Sequence, residues 1–129
     1  MTFVLLLAGS PVCAQDAKPA GDPDAGAIVF KKCMACHQLG EGARNSTGPV
    51  LNGVVDRPVA TYPGYNYSKA TQSADLTWTD ENLARYLRAP REVIPGTRMA
   101  FGGLKKDREI LDIIAYLKQF DAAGRKMTP

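Results

Sequence analysis

Cys33-Met34-Ala35-Cys36-His37 decides how the rest of this chain is read. Two cysteines separated by two residues and closed at once by a histidine form the C-x-x-C-H pattern of covalent haem attachment. One helical turn sets both thiols where they can add to two vinyl groups of one porphyrin, and His37 follows directly beneath the iron. Zinc and redox alternatives fit less well. A structural zinc site takes four closed ligands, commonly cysteine or histidine, whereas Cys13 is the one other cysteine and His37 the one histidine. A redox C-x-x-C of the thioredoxin kind belongs in a βαβ context with a reactive thiol at a helix start. Here the residues before Cys33 have a helical pattern and no alternating strand pattern follows. Two structural cysteines beside a buried histidine would leave the spacing unexplained.

Working outward, 129 residues make one domain, large enough for a core and small enough to gain much from a buried cofactor. The apolar run Thr2 to Gly9 is too short to cross a bilayer. It leads through Ser10-Pro11-Val12-Cys13-Ala14 to the first charge at Asp16. This pattern predicts a signal peptide over 1–14, cut after Ala14 and carrying Cys13 away with it, although Met1-Thr2 supplies no basic side chain. Export agrees with the central motif, because covalent haem attachment needs reduced thiols delivered to an extracytoplasmic assembly system, in a bacterium the periplasm. All charged side chains lie beyond the cut, so the mature chain keeps the net charge of +3. That mild basic excess favours acidic partner surfaces and gives no reason to expect nucleic acid.

Residues 15–21 are small, polar and proline-bearing, a flexible lead-in. A domain is expected over 22–124 and a tail over 125–129. Asp22-Pro23-Asp24 combines an N-cap, proline at the first helical position and an acid in the first turn, predicting a helix from about Pro23 into the Cys33 region. Gly26 and Phe30 share one face. A mid-helix glycine costs about 1 kcal/mol relative to alanine, so another helix should cross closely there. Gln38 to Gly53 is dense in glycine and turn formers, and Val54 to Ala74 continues irregular, with Tyr62, Tyr65 and Tyr67. So long a loop is unusual in a compact domain unless a large buried cofactor supplies the surface it packs on. Thr79 can cap a helix whose Leu83, Tyr86 and Leu87 share a face, ended by Pro90. Ile94 to Gly103 is an extended loop. From about Asp107, residues Ile110, Ile113, Ile114 and Leu117 mark an amphipathic helix that stops before Gly124. No strand run or repeat appears, so the fold expected is all-α, three to five helices and long loops around one haem.

A haem iron held by His37 either has a sixth ligand or lacks one, which divides electron carriers from gas binders and peroxidases. Met34 lies inside the attachment motif, Met127 is among the last residues and Met1 goes with the signal. Met99 is left. A methionine is commonly core filler, but Met99 sits between Arg98 and Ala100 in a loop rather than on an apolar helical face, which points to ligation.

Gly21-Asp22, Gly26, Phe30, Cys33 to His37, Thr47-Gly48-Pro49, Leu51, Gly53, Arg57, Pro63-Gly64, Tyr67, Trp78, Tyr86-Leu87, Pro90, Ile94 to Thr97, Met99, Phe101, Gly103 and Ile114 to Leu117 together resemble class I cytochrome c. That family includes mitochondrial cytochrome c and bacterial cytochrome c2. The resemblance covers essentially the whole mature chain. It implies one haem c held through Cys33 and Cys36, with His37 and Met99 on the iron. It further implies that Pro49 offers its carbonyl to His37 and that Arg57, Tyr67 and Trp78 satisfy the haem propionates. Tyr86 and Thr97 would line the methionine side, and Phe101 would close the haem edge. Thr71 stands where the family often has asparagine.

The implied role is a monomeric periplasmic electron carrier, not an enzyme, without stable membrane insertion. Its donor would be a complex such as a quinol-cytochrome c reductase and its acceptor an oxidase or photosynthetic reaction centre. Docking would run through Lys32, Arg91, Arg98, Lys105 and Lys106, with Glu92 and Asp107 interrupting the basic ring. The rival is a haem enzyme or gas binder whose sixth position is open.

Overall fold

The structure, a computed structural model, describes residues 19–128. The expected signal peptide at 1–14 and most of the lead-in lie outside the described residues. Within them five helices form: α1 (Pro23–Phe30), α2 (Lys69–Ser73), α3 (Asp80–Arg88), α4 (Pro90–Val93) and α5 (Asp107–Leu117). No strand forms among the described residues.

The start of α1 follows its local signals. The Asp22 carboxylate accepts from the backbone N–H groups of Asp24 at 2.9 Å and Ala25 at 3.4 Å, while Pro23 opens the helix where its missing N–H costs nothing. Its inner face then meets α5. A Cβ on Gly26 would lie 2.6 Å from the Asp112 carbonyl carbon and 2.7 Å from the Tyr116 Cβ, so only glycine lets the two backbones approach this closely. Around that crossing Val29 and Phe30 of α1 and Ile110, Ile113, Ile114 and Leu117 of α5 are buried. Each such side chain contributes about 1.5–3 kcal/mol when fully removed from water. The Phe30 and Tyr116 rings pack with centroids 5.5 Å apart.

One carboxylate at the middle of α5 fastens the start of α1 to it. Asp112 is 4% exposed, accepts from the Asp22 N–H at 2.7 Å and pairs with Arg108 Nε at 3.0 Å. Arg108 also donates to the Ala20 carbonyl at 3.2 Å, and a Cβ on Gly21 would lie 2.9 Å from the Asp112 nitrogen. The chain is therefore docked on α5 before α1 begins. Asp112→Ala leaves a buried N–H and a cation without their acceptor, so it should cost about 2 kcal/mol. Guanidinium denaturation of the holoprotein checks this, with Asp112→Asn, which keeps an oxygen acceptor, falling between the two.

Two short helices depart from simple expectation. Residues to Ala74 lack any periodic signal, yet Ser68 starts α2 by accepting from the Thr71 N–H through its hydroxyl at 3.0 Å. Five residues are too few to leave a periodic pattern. Pro90 both ends α3 and opens α4 as its first residue. Residues 94–103 contain no helix, and the stretches 56–59 and 76–78 lie side by side. There the Asp56 N–H donates to the Trp78 carbonyl at 2.8 Å and the Trp78 N–H to the Arg57 carbonyl at 2.9 Å. The last residues double back: the Met127 N–H reaches the Gln119 carbonyl at 2.7 Å.

Candidate haem site

Beyond α1 the chain stays coiled, and this turn carries the attachment motif. Cys33 N–H donates to Phe30 at 2.8 Å and His37 N–H to Cys33 at 2.9 Å, both to backbone carbonyls. Cys33 is half-buried and Cys36 exposed. Desolvation pushes the free Cys33 thiol up to about 11, with Cys36 adding to the rise and Lys32 opposing it. A redox cysteine needs the opposite shift. The thiol sulfurs here stand where thioether sulfurs would be.

His37 is held from behind. Its Nδ1 lies 2.7 Å from the Pro49 carbonyl, which can only accept, so Nδ1 carries the hydrogen and Nε2 keeps its lone pair for a metal. Burial lowers the pKa of the ring, the Pro49 bond working the other way, which favours the neutral imidazole a metal requires. Gly48 makes the fit possible. A Cβ there would sit 2.7 Å from His37 Nδ1.

Across the cavity the Met99 loop is tied at both ends to the helices. The Ile94 N–H donates to Pro90 at 3.0 Å and the Leu104 N–H to Leu87 at 2.8 Å, both to carbonyls. Between these ties, Thr97 Oγ1 lies 2.8 Å from the Tyr86 hydroxyl on α3 and accepts from the Met99 N–H at 3.3 Å. Tyr86 packs on Trp78, with ring centroids 4.8 Å apart. Burial raises the Tyr86 pKa, with Thr97 opposing, so the phenol stays neutral.

The third wall is polar. Arg57 donates through Nη1 to the Asn52 carbonyl at 2.9 Å and through Nη2 to Val50 at 3.5 Å, and lies over the Tyr62 ring. Its Nε is buried without a partner. Burial pulls the guanidinium pKa down, opposed by Tyr67 and Tyr62. The Tyr67 hydroxyl accepts from the Tyr62 N–H at 3.1 Å, which leaves its own hydrogen to donate. An orphaned donor on a buried cation is costly unless the cavity receives an acceptor. The donor set thus fits an anionic group such as a carboxylate.

One cavity of about 240 Å³ brings together every site residue expected from sequence: Cys33, Cys36, His37, Pro49, Arg57, Tyr67, Trp78, Tyr86, Thr97, Met99 and Phe101. Its wall also includes Tyr65, Ser68 and Thr71. Ser68 was missed, and only its place as N-cap before Lys69 could have flagged it. The Ser68 hydroxyl donates to Thr71 Oγ1 at 2.8 Å, placing two hydroxyls where the family often has one amide. Of the basic residues, Lys32 and Arg98 reach the cavity rim. Lys32 pairs with Glu109 at 3.0 Å, Arg98 donates to the Asn66 carbonyl, and Lys105 donates to Gly102. Arg91 and Lys106 are exposed, and Asp107 is paired with Arg88.

An apolar group with anionic ends, able to take two thioether bonds and an imidazole, suits these walls, and the class so defined is a helical protein folded around one covalent haem. Comparison with known proteins agrees. The cytochrome c family profile matches residues 23–121. Cytochrome c2 of Blastochloris viridis is 45% identical over 96% of this chain and 93% of its own length. Cytochrome c2 of Rhodoblastus acidophilus is 48% identical over 83% of this chain and all of its own. The structure of cytochrome cH from Methylobacterium extorquens superposes with a TM-score of 0.72 at 39% identity, covering 76% of this chain and 98% of that one. The chain belongs to the cytochrome c family and has the class I fold, with haem c bound covalently through Cys33 and Cys36.

Proposed function

We propose that this protein is a periplasmic carrier that passes single electrons between membrane-bound redox complexes, and that His37 and Met99 would hold the haem iron. The bound haem supplies the chemistry, a one-electron change between ferrous and ferric iron. The chain's own residues hold and tune it. His37 is made a stronger donor by Pro49. Met99, fixed through Thr97 and Tyr86, offers a soft sulfur that favours the reduced state. Arg57, Tyr67 and Trp78 compensate the carboxylates, and Phe101 keeps water from the edge.

The observation that carries this reading is the placement of Met99 on the same cavity as Cys33, Cys36 and His37, in a loop tied to α3 at Tyr86. A redox titration of the purified holoprotein with its visible spectrum tests it. Reversible one-electron behaviour with a sulfur-to-iron charge-transfer band in the red supports the carrier. Ready binding of carbon monoxide by the ferrous protein would favour the open-site rival. Among the described residues no helix is long and apolar enough to cross a membrane.

Lys32, Arg91, Arg98, Lys105 and Lys106 would form the docking face for an acidic surface on a reductase, an oxidase or a reaction centre. Contacts of this kind are small and short-lived. The Debye length is about 10 Å at 0.1 M salt, so transfer rates to an acidic partner should fall as ionic strength rises. Stopped-flow kinetics across a salt series checks this, and a flat profile would remove the docking face.

A further inference from the structure

The C-terminal turn packs on a single buried amide in the loop behind the haem cavity. Asn52 is 5% exposed, and its side chain is used twice on Gly40: Oδ1 accepts from the Gly40 N–H at 2.8 Å and Nδ2 donates to the Gly40 carbonyl at 2.9 Å. Gly40 follows His37 by three residues and Asn52 follows Pro49 by three. The bridge therefore straps together the segments that bear the imidazole and its acceptor. The main-chain carbonyl of Asn52, which the side-chain bridge holds in place, is the short acceptor for Arg57 at 2.9 Å, whereas the Val50 contact at 3.5 Å is too long to hold the guanidinium alone.

From the other side the turn presses on this bridge. Gly124 is buried at φ +79°, and a Cβ there would lie 2.5 Å from Asn52 Nδ2 and strike the Gly40 carbonyl oxygen. The turn is internally fastened, since the Asp121 carboxylate accepts from the Ala123 and Arg125 N–H groups, each at 2.9 Å. Ala122 packs on Gly53, where a Cβ would lie 3.0 Å from the Ala122 Cα.

We propose that Asn52 is a positioning residue for Arg57, and that the turn at Gly124 holds Asn52 in place, so that a segment remote from the iron ligands adjusts the reduction potential. The inference rests on the electron-carrier reading. Arg57 lines the cavity and its Nε is buried and unpartnered, and in a low-dielectric interior the placement of one positive charge matters to a buried redox centre. A well-placed cation favours the less positive, reduced state. Loosening Asn52 lets the guanidinium drift and weakens that preference.

The test is spectroelectrochemical titration of the holoprotein at fixed pH and salt for Asn52→Ala and Gly124→Ala, each alone and combined with Arg57→Gln. In either single variant the ferrous-to-ferric ratio at a given applied potential should fall about threefold, and the effect should vanish when Arg57 is already replaced. Amide hydrogen exchange at the Gly40 N–H should quicken in both. Faster exchange and lower stability with an unchanged potential would make Asn52 a merely structural residue and overturn the proposal, as would a shift of equal size with and without Arg57. If Asn52→Ala does not take up haem, Gly124→Ala, which leaves the cavity wall intact, decides the question by the same outcomes. Failure of the carrier reading is seen separately, as the absence of a reversible one-electron couple in the unsubstituted protein, and overturns both.

Discussion

The Met99→Ala protein should retain its covalent haem, lose the red charge-transfer band, bind carbon monoxide when ferrous and fall in midpoint potential by on the order of 0.1 V. Attachment survives because Cys33 and Cys36 lie on the turn after α1, far along the chain from Met99. The sixth position changes because the loop offers no second soft ligand: Arg98, Ala100 and Phe101 flank Met99 and none is a sulfur donor. Axial ligands set haem potentials across a span of about 0.8 V, so a shift on the order of 0.1 V is modest within that range. Losing the thioether also admits water to a half-buried site, which favours the more charged ferric state. A visible and near-red spectrum with a redox titration measures all of this. An unchanged band and potential would remove Met99 from the iron.

The Gly26→Val protein should lose about 3 kcal/mol of stability while its midpoint potential stays close to that of the unsubstituted protein. The added side chain has nowhere to go. Its Cβ alone would lie 2.6 Å from the Asp112 carbonyl carbon and 2.7 Å from the Tyr116 Cβ, on a helix whose backbone cannot yield. Overpacking a filled core usually costs about 1–3 kcal/mol, and here the obstacle is largely backbone, so the upper end is expected. Separating the helices would also disturb the Phe30 and Tyr116 ring contact. Guanidinium denaturation followed by tryptophan fluorescence checks the prediction. A denaturation midpoint near that of the unsubstituted protein would mean that the crossing can open without penalty. Together the two variants separate stability from potential, since Gly26 does not line the cavity and Met99 does.

Much of the site was legible before the fold because its residues carry their chemistry in short-range order. The attachment motif needs only one turn of chain, and Asp22-Pro23 and Thr79 announce helix starts through local hydrogen bonds. The stripe of Ile110, Ile113, Ile114 and Leu117 reports the buried face of α5 directly. Asn52 and Asp112 left no such mark. An asparagine in a glycine-rich loop and an aspartate beside an apolar stripe both look solvated, yet each is buried because partners distant in sequence satisfy it: Gly40 for Asn52, Asp22 for Asp112. The α2 turn was hidden for another reason, being shorter than any period that could reveal it.

The sequence by itself determined that haem is attached, that helices α1, α3 and α5 form, and that Gly26 needs a crossing partner, since each depends on residues within a few positions of one another. Only the tertiary structure decided which groups meet. It seated the Gly48-Pro49 turn against the His37 ring, brought Arg57 to the cavity wall with its Nε buried and unpartnered, and laid Gly124 on the amide of Asn52. These contacts join residues on separate loops, where no local periodicity couples one position to the other. Burial around a shared cavity chooses the partners instead, because an unsatisfied polar group there costs more than the ordering of the loop that satisfies it.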